Sequence, residues 1–468
     1  MSVFIMLIEN VLYILRNLVF LSSVVGIILY EYGKYLCWGN FNNFIVNILN
    51  KLSQKNILYI KLFQACALNT TIIDPAFNDK LVKFCDNAPW TIEDIDMDTL
   101  WQLEKTYQMH IVDKHEPINT GMISLVYKGT SVAGTSTSVA GPSTSVAGPS
   151  TSVAGPRLEV VNGQPLIIKI KRKNIETRLN AAIDNVLFFL ALIDYIPFIN
   201  TCDFPAVIKK NINLITQQLN FNNEVSNITK FQTYCQRLKY IKIPTVYPAV
   251  TKRFANVILM EYVQGQTIHN IDKADYEIYA KQLMKFVYIT TFLYGIYHGD
   301  LHLGNILFLK EAGVHKLCIL DFGLVYEVEK TKDAVFDIVS SIIMTPPAQI
   351  ADKILQSGIL EPVEVIRSLS NEHYTELINY LTNFVNTTIH IDKKLNHHQI
   401  FPFLSNLNTY ITNINKHHVH LRISDDLIKM QVFFAMNHGV MLTLCTDINY
   451  MELSDQVMKE TFHLDVFI

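Results

Sequence analysis

The sequence reads Tyr297-His298-Gly299-Asp300-Leu301-His302-Leu303-Gly304-Asn305-Ile306-Leu307, and this stretch decides how the rest of the chain is interpreted. An apolar strand is predicted after it, followed by the tripeptide Asp321-Phe322-Gly323. The spacing His-x-Asp-x-x-x-x-Asn before Asp-Phe-Gly is much more specific than either piece alone. It predicts a phosphotransfer site in which Asp300 orients or deprotonates an acceptor. Asn305 and Asp321 would hold Mg²⁺ on the phosphates of a nucleotide.

Composition excludes several classes of protein. The chain has 468 residues and is 50% hydrophobic, enough for one large or two ordinary domains with a buried core. Its 39 Lys and Arg residues and 42 Asp and Glu residues give a net charge of -3. The chain therefore lacks the excess of positive charge that would predict nucleic-acid binding. The cysteines are scattered without a Cys-x-x-Cys pair, which favours a reducing, cytosolic-type environment without structural zinc or disulfides.

The N-terminal segment, residues 1–38, is strongly apolar. Residues 11–30 carry a single charge, at Arg16, and a membrane-spanning helix needs about 20 apolar residues. The segment therefore predicts membrane association, either as a single anchor or as an interfacial helix. An apolar helix packed against the rest of the protein is the alternative.

Residues 39–115 are predicted to form a helical extension, because apolar residues recur there at helical spacing. One of its helices is predicted from Thr91 to Tyr107. Residues 116–265 carry strand signals, with strands predicted at 246–250 and 256–263.

A low-complexity insert occupies residues 130–156, where Ser-Val-Ala-Gly recurs. Its Gly and Pro content excludes a coiled coil and predicts a surface loop without a function of its own. Residues 266–468 are predicted to be helical around the catalytic loop and Asp-Phe-Gly. The order of these segments predicts an α+β, two-lobed protein-kinase-like fold with an N-terminal helical extension and nucleotide held between the lobes.

Lys169 lies in the apolar strand Leu166-Ile167-Ile168-Lys169-Ile170 and is predicted to contact nucleotide phosphates. Glu224, on the nearest suitable helix, is the predicted ion-pair partner of this lysine. Lys171 faces the same side of the strand at period two, so it remains the alternative. After the strand that ends the first lobe, backbone groups of Glu261 and Val263 are predicted to meet the adenine edge of the nucleotide.

These residues resemble the UbiB/AarF/ADCK family of atypical, protein-kinase-like proteins, over roughly residues 55–350. The catalytic loop and Asp321-Phe322-Gly323 match the family motifs well, and the family lysine falls on Lys169. Lys61 and Gln64 match the Lys-x-Gly-Gln motif of the family's N-terminal extension, with Phe63 in place of glycine.

Two other family motifs are altered in this sequence. The Ala-rich loop of the family aligns with Asn119-Thr120-Gly121-Met122, where Gly121 leaves the backbone free to approach phosphates closely. The Glu-x-Asp motif aligns with Gln218-Leu219-Asn220, in which both acids are amides. These changes lead to the hypothesis that nucleotide selectivity or metal demand differs from the family norm.

The resemblance implies ATP and Mg as cofactors, and ATP hydrolysis or phosphotransfer linked to a membrane or a ubiquinone-type lipid pathway. Gly299, in place of the usual arginine, and the absence of Ala-Pro-Glu after Asp321 agree with a non-protein substrate. ATP and a lipid or membrane are thus the expected partners, and the sequence names no protein partner. One alternative is a small-molecule phosphotransferase of the aminoglycoside/choline kinase kind, which shares the loop and lacks the Lys61/Gln64 extension. The other is a nucleotide-binding pseudokinase scaffold.

Overall fold

The structure is a computed structural model that divides into two compact units. The first unit comprises Met1–Val225 and Thr245–Tyr262, and the second comprises Ser226–Pro244 and Val263–Ile468. The residues that the structure describes are 2–39, 41–59, 88–131, 163–193, 212, 216–328, 332–341, 345–388, 421–424, 426, 437, 440–441, 443–445 and 450–462.

The helices and strands follow the sequence in a mixed order. The α-helices are α1 (Ser2–Trp38), α2 (Phe41–Lys55), α3 (Met97–Tyr107), α4 (Ile175–Ile193), α5 (Phe221–Cys235), α6 (Pro248–Arg253), α7 (Tyr276–Tyr288), α8 (Lys332–Ser341), α9 (Pro347–Gln356), α10 (Val363–Arg367), α11 (Asn371–Thr388) and α12 (Tyr450–Phe462). The strands are β1 (Met109–Ile111), β2 (Asn119–Thr120), β3 (Ser124–Ser131), β4 (Pro165–Lys171), β5 (Ile241–Lys242), β6 (Val257–Glu261), β7 (Ile296–His298), β8 (Ile306–Glu311), β9 (Val314–Ile319), β10 (Val325–Glu327), β11 (Leu360–Glu361) and β12 (Arg422–Ile423).

The first unit is built on an antiparallel sheet in the order β1-β3-β4-β6, with β2 paired to β3. Successive side chains of a strand point to opposite faces of the sheet. In β4 the completely buried residues are therefore Leu166, Ile168 and Ile170, which join the core. Lys169 and Lys171 lie on the other face, which places both candidate lysines away from the core.

Two of the elements predicted for this unit differ from the structure. The strand predicted at 246–250 is wrong, because Pro248 begins α6 and only Val246 pairs, through an isolated bridge to Met260. Proline has a fixed φ and no N–H, so it suits the first turn of a helix and not a central strand. The helix predicted from Thr91 divides in two: a 3₁₀ turn ends at Asp94, and α3 begins after Asp96, whose carboxylate accepts the N–H of Thr99.

Helix α1 packs along one seam. Within residues 11–38, where the structure describes side-chain burial, the buried residues of this helix are Asn17, Val24 and Glu31, which recur every seven residues as in a coiled coil. Glu31 accepts hydrogen bonds from Asn47 and Lys51 of α2. These polar contacts fix the side of α1 that faces the protein.

The second unit holds the predicted catalytic loop between two small sheets. β7 pairs with β10, and β8 pairs with β9, which also pairs with β5. The helical structure predicted from residue 266 up to the catalytic loop is present as α7 followed by a π-helical turn at Ile289–Leu293. Gly295 follows with a φ of +66°, a conformation that favours glycine, and lets the chain enter β7.

The first predicted lobe, residues 116–265, is grouped differently in the structure, because residues 226–244 belong to the second unit. Phe231 of α5 lies against Phe286 and Phe322, with ring centroids 6.0 and 4.9 Å apart, which accounts for this grouping. Residues 132–162 lie outside the described part of the chain, and they include almost all of the low-complexity insert. The domain boundaries given above therefore stay a prediction.

Candidate active site

Lys169 and Glu224 form a closely paired, largely buried ion pair in the first unit. The Nζ atom of Lys169 lies 2.6 Å from Oε1 of Glu224, and the side chains are 12% and 2% exposed. Lys169 is presented by β4, and Glu224 lies in the first turn of α5. Charge-assisted hydrogen bonds of this length are among the strong ones, and a pair so well shielded from water is weakly screened by salt.

Lys171 has a different partner, which distinguishes the two candidate lysines. Its Nζ lies 2.9 Å from Oε1 of Glu176, whose side chain is 64% exposed. This is an ordinary surface pair that contributes about 0–1 kcal/mol. Of the two lysines, Lys169 thus has the buried carboxylate partner that the sequence predicted.

The turn that carries Gly121 joins β2 to β3. The N–H of Gly121 donates to the carbonyl of Ser124 at 2.9 Å, and its own carbonyl accepts two hydrogen bonds from Arg172. A phosphate contact from the N–H of Gly121 would therefore have to replace the bond to Ser124. A Cβ atom at Gly121 would lie 3.6 Å from Oγ of Ser124, an ordinary van der Waals contact.

The predicted adenine-facing residues lie where the first unit ends. Glu261 is the last residue of β6, and its side-chain Oε2 accepts the N–H of Thr245 at 3.0 Å. Its own N–H donates to the carbonyl of Thr245 at 2.8 Å. The side chain of Glu261 therefore stabilises the strand end, so a contact with nucleotide would come from the backbone. Val263 is partly buried and belongs to the second unit.

The catalytic loop of the second unit is organised by hydrogen bonds between residues that are close in sequence, around Asp300. The N–H of Asp300 donates to Nδ1 of His298 at 3.2 Å, and its carbonyl accepts Nδ2 of Asn305 at 2.8 Å. His302 caps the 3₁₀ turn Leu303–Asn305 by accepting the N–H of Gly304 at 3.2 Å. The Asn305 amide is thus held through its nitrogen, which leaves its oxygen as the atom that can bind a metal.

His298 is a buried, neutral residue of this loop. Burial lowers its pKa from 6.5 to about 4, although the neighbouring carboxylates of Asp321 and Asp300 act in the opposite direction. Its ring lies against Phe322 with centroids 5.0 Å apart. A ring that is neutral at pH 7 can accept the Asp300 N–H through Nδ1, so His298 packs and orients the loop.

A backbone hydrogen bond holds the segment of Asp321 next to Asn305. The N–H of Leu320, the residue before Asp321, donates to the carbonyl of Asn305 at 3.0 Å. Oδ1 of Asp321 accepts the N–H of Gly323 at 2.9 Å, which fixes the carboxylate against its own turn. The next residue, Phe322, is completely buried, and its carbonyl accepts Nδ2 of Asn227 at 3.0 Å.

The donor set fits magnesium in a nucleotide complex. Among the described residues, no group of three or more His, Cys, Asp or Glu side chains is arranged to hold a metal ion. Mg²⁺ usually takes one or two protein carboxylates and completes its shell with phosphate oxygens and waters. Asp321 with the oxygen of Asn305 is a set of that kind, since nucleotide phosphates would supply the remaining ligands.

Two residues of the site were not predicted from the sequence, and two predicted residues lie outside the described part of the chain. Arg172 holds the Gly121 carbonyl, but in the sequence it is one charge of the run Lys171-Arg172-Lys173 and gives no signal of burial. Asn227 of α5 donates to the carbonyl of Phe322, a contact that nothing near Asn227 in the sequence indicates. Lys61 and Gln64 lie in residues 60–87, outside the described residues.

Comparison with known proteins matches part of this chain to atypical kinase-like proteins. The family model described as "ABC1 atypical kinase-like domain" matches residues 157–353. The chloroplastic protein ACTIVITY OF BC1 COMPLEX KINASE 8 of Arabidopsis thaliana is 23% identical over 211 residues, which cover 43% of this chain and 27% of that protein. A mitochondrial ABC1 family protein of Schizosaccharomyces pombe is 22% identical over 284 residues, or 58% of this chain and 40% of the relative.

The chain thus spans less than half the length of both relatives. A solved structure, the complex of Rv3197 with erythromycin from Mycobacterium tuberculosis, aligns over 94% of this chain and 98% of its own, with 13% identity and a TM-score of 0.48.

Proposed function

Because this chain belongs, over residues 157–353, to the ABC1 family of atypical kinase-like proteins, we propose that it binds ATP with Mg²⁺ and uses it in phosphotransfer or ATP hydrolysis. The proposal includes a membrane- or lipid-linked role of the ubiquinone-pathway type, with a substrate other than protein. The observation that carries it is the arrangement of Asp300, Asn305 and Asp321 within the second unit.

Each of these three residues has a role that follows from its contacts. Asn305 would bind the metal through its oxygen, because its nitrogen is held by the Asp300 carbonyl. Asp321 would supply the carboxylate ligand. Mg²⁺ bound there would neutralise charge on the nucleotide phosphates. Asp300 would orient the acceptor or take its proton, and its backbone is held by His298.

Lys169 would contact the nucleotide phosphates with its ammonium group. The pair with Glu224 supports this role, because the carboxylate limits the rotamers of a long side chain and keeps it charged. A lysine so placed acts on phosphate as a point charge. A nucleotide-binding scaffold could also use this pair, but it would need none of the Mg²⁺ ligands, so the presence of Asn305 and Asp321 leads us to favour an active site.

The test of this proposal is Mg²⁺-dependent nucleotide binding measured by titration calorimetry. The wild-type protein should bind ATP more tightly with Mg²⁺ than with EDTA, and Asp321→Asn should abolish that difference. Asp333→Asn, at an exposed acid in the first turn of α8, is the control and should behave as the wild type. Equal Mg²⁺ dependence in wild type and Asp321→Asn would refute the proposed metal site.

We also propose that α1 lies in the plane of a membrane surface. Val11–Trp38 is long and apolar enough to cross a membrane by length and composition. However, Arg16 pairs with Asp184 of α4 at 3.2 Å, and Glu31 is held by α2, so crossing a bilayer would break both contacts or carry these helices along. Val19 and Leu29 on its outer side are 70% and 64% exposed, which suits an apolar face buried in the lipid boundary.

Liposome flotation and alkaline extraction distinguish the two membrane modes. An in-plane helix should carry the protein to the lipid fraction and be released at high pH, whereas a spanning helix resists release. Val19→Asp with Leu29→Asp should abolish flotation. Asn180→Asp with Gln349→Glu adds the same charge at exposed helix positions elsewhere and should not. Unchanged flotation of the first pair would exclude this face as the membrane contact.

A further inference from the structure

Arg172 is a buried cation whose contacts join segment 88–94 to the turn at Gly121. Its side chain is 1% exposed, and NH1 lies 2.8 Å from Oδ2 of Asp94, itself 3% exposed. Nε and NH2 donate to the Gly121 carbonyl at 3.0 and 2.7 Å. NH1 also donates to the carbonyl of Pro89 at 2.8 Å. We call this set of contacts the Arg172 clamp.

The two segments that the clamp joins have further contacts of their own. Asp94 closes a capping box by accepting the N–H of Thr91 at 3.0 Å, and it also pairs with Arg178. Thr120, next to Gly121, exchanges two hydrogen bonds with Ala88: Ala88 N–H to the Thr120 carbonyl at 2.9 Å, and Thr120 Oγ1 to the Ala88 carbonyl at 2.6 Å. Segment 88–94 is therefore linked to the turn in two ways, through Arg172 at Gly121 and directly through Ala88 at Thr120.

The chemistry of arginine suits this junction. Its planar guanidinium offers five N–H donors in a fixed fork, and it stays charged when buried. One fork here serves a carboxylate and the carbonyls of two chain segments at once. Lysine, with a single charged nitrogen, cannot reach the same acceptors together. The clamp therefore sets the position of the Gly121 turn by rigid geometry.

We infer that Arg172 and Asp94 are positioning residues that couple segment 88–94 to the Gly121 turn and thereby set nucleotide affinity. The inference rests on the proposed function for its effect on ATP, because Gly121 is predicted to lie at the phosphates. A shift of segment 88–94 would move the Gly121 carbonyl through Arg172, and a nucleotide that orders the turn would order segment 88–94 in return.

Hydrogen exchange on the wild-type protein tests the coupling without any substitution. Saturating Mg-ATP should slow amide exchange at residues 119–124 and also at 88–96. Protection at 119–124 without protection at 88–96 would overturn the inference. If calorimetry detects no ATP binding, the proposed function fails. Amide hydrogen exchange at residues 119–124, measured on the variants without nucleotide, then still decides whether the clamp positions the turn.

Asp94→Asn keeps the shape of the cap and removes the charge that Arg172 meets. Without nucleotide, it should speed exchange at 119–124 while near-UV circular dichroism stays native. ATP affinity should fall by about tenfold, as for the loss of one or two hydrogen bonds. Arg172→Lys should do the same. If Arg172→Lys does not fold, Asp94→Asn alone supplies the comparison.

Arg178→Ala is the matched control. It removes a partner of Asp94 that is 43% exposed and leaves the contacts with the Gly121 carbonyl in place. It should change neither exchange at 119–124 nor ATP affinity. Natively folded Asp94→Asn with wild-type exchange at 119–124 would show that the ion pair is structural only, as would an equal effect of Arg178→Ala.

Discussion

At the scale of single residues, the two lysines of β4 show what a sequence pattern leaves open. Lys169 and Lys171 share a face at period two, and no property of the strand alone separates them. The separation comes from tertiary structure, because α5 brings Glu224 to Lys169 while Glu176 of α4 reaches Lys171. Only the first of these pairs is shielded from water.

Lys169→Met should therefore lower ATP turnover by roughly 100-fold or more, the size of effect seen when one preorganised electrostatic contact is removed. Lys171→Met should change turnover by less than about threefold, because its pair is a surface pair. Initial rates of phosphate release measure both. Equal losses in the two variants would show that the buried pair has no special role.

Lys169→Met also removes the cation that pairs with the buried carboxylate of Glu224. Removing one partner of a buried ion pair lowers the free energy of unfolding by about 3–5 kcal/mol. Thermal melting must therefore accompany the rates, so that lost folding is not counted as lost catalysis. Turnover per folded molecule is the quantity that bears on the prediction.

His298 gives a prediction about pH. Its pKa is about 4 in the folded protein and 6.5 when unperturbed, because burial disfavours the charged ring. The unfolded chain binds more protons between these values, so His298 contributes stability that is complete above pH 6.5 and is lost as pH falls toward 4. At pH 4.5 the loss should be about 2–3 kcal/mol.

Urea denaturation at pH 7 and pH 4.5 measures this step. His298→Asn should reduce the difference between the two pH values, whereas His373→Asn, at an exposed histidine, should retain it. Between pH 6.5 and 8 the ring stays neutral, so His298 should not add a titration to the rate profile in that range. A wild-type difference that His298→Asn leaves unchanged would argue against a depressed pKa at His298.

At the scale of elements, the pairing of β7 with β10 explains Gly299. Its N–H donates to the carbonyl of Leu324 at 2.7 Å, and a Cβ atom here would lie 2.3 Å from Cε2 of Tyr326. Tyr326 is buried, so it cannot simply turn aside. Packing is thus a sufficient reason for glycine at this position, and the non-protein substrate stays a prediction that Gly299 alone does not support.

Gly299→Ala should destabilise the protein by about 1–3 kcal/mol, as overpacking of a filled core does. Gly121→Ala is the control, because its Cβ would have 3.6 Å of space and the change should alter stability by less than about 0.5 kcal/mol. Urea denaturation compares the two variants. Equal stability of both would show that the β7–β10 pair adjusts to the methyl group.

Periodicity predicted some elements and missed others for identifiable reasons. β4, α7 and β9 follow from runs of apolar residues with the right spacing, because burial of one face decides them. Residues 246–250 are mostly apolar, which predicts a strand, but Pro248 begins α6 instead. Capping by Asp96 likewise separates α3 from the 3₁₀ turn before it. Local backbone chemistry overrode the hydrophobic pattern in both places.

The candidate site was predictable where it is local in sequence. The spacing from His298 to Asn305 and the Asp-Phe-Gly tripeptide fix their own loops through hydrogen bonds between near neighbours. Arg172 and Asn227 were not predictable in this way. Their acceptors lie far away in the chain, at Gly121 and Phe322, and contacts of that range depend on the completed fold.

At the scale of the whole molecule, the chain joins two compact units of distinct construction. The first unit carries the sheet with Lys169 and Glu224, and the second carries Asp300, Asn305 and Asp321. The ABC1 atypical kinase-like match extends across parts of both, over residues 157–353. The proposed roles of these two sets of residues are tested separately, by Lys169→Met in the first unit and by Asp321→Asn in the second.

ATP turnover in the presence of Mg²⁺, compared between the wild type, Asp321→Asn and the control Asp333→Asn, tests the proposed metal site and its role in the reaction together. We expect phosphate release by the wild type and Asp333→Asn, and a rate lower by about 100-fold or more in Asp321→Asn, since the metal would lose its carboxylate ligand. Equal phosphate release by folded wild type and folded Asp321→Asn would show that Asp321 does not hold a catalytic metal.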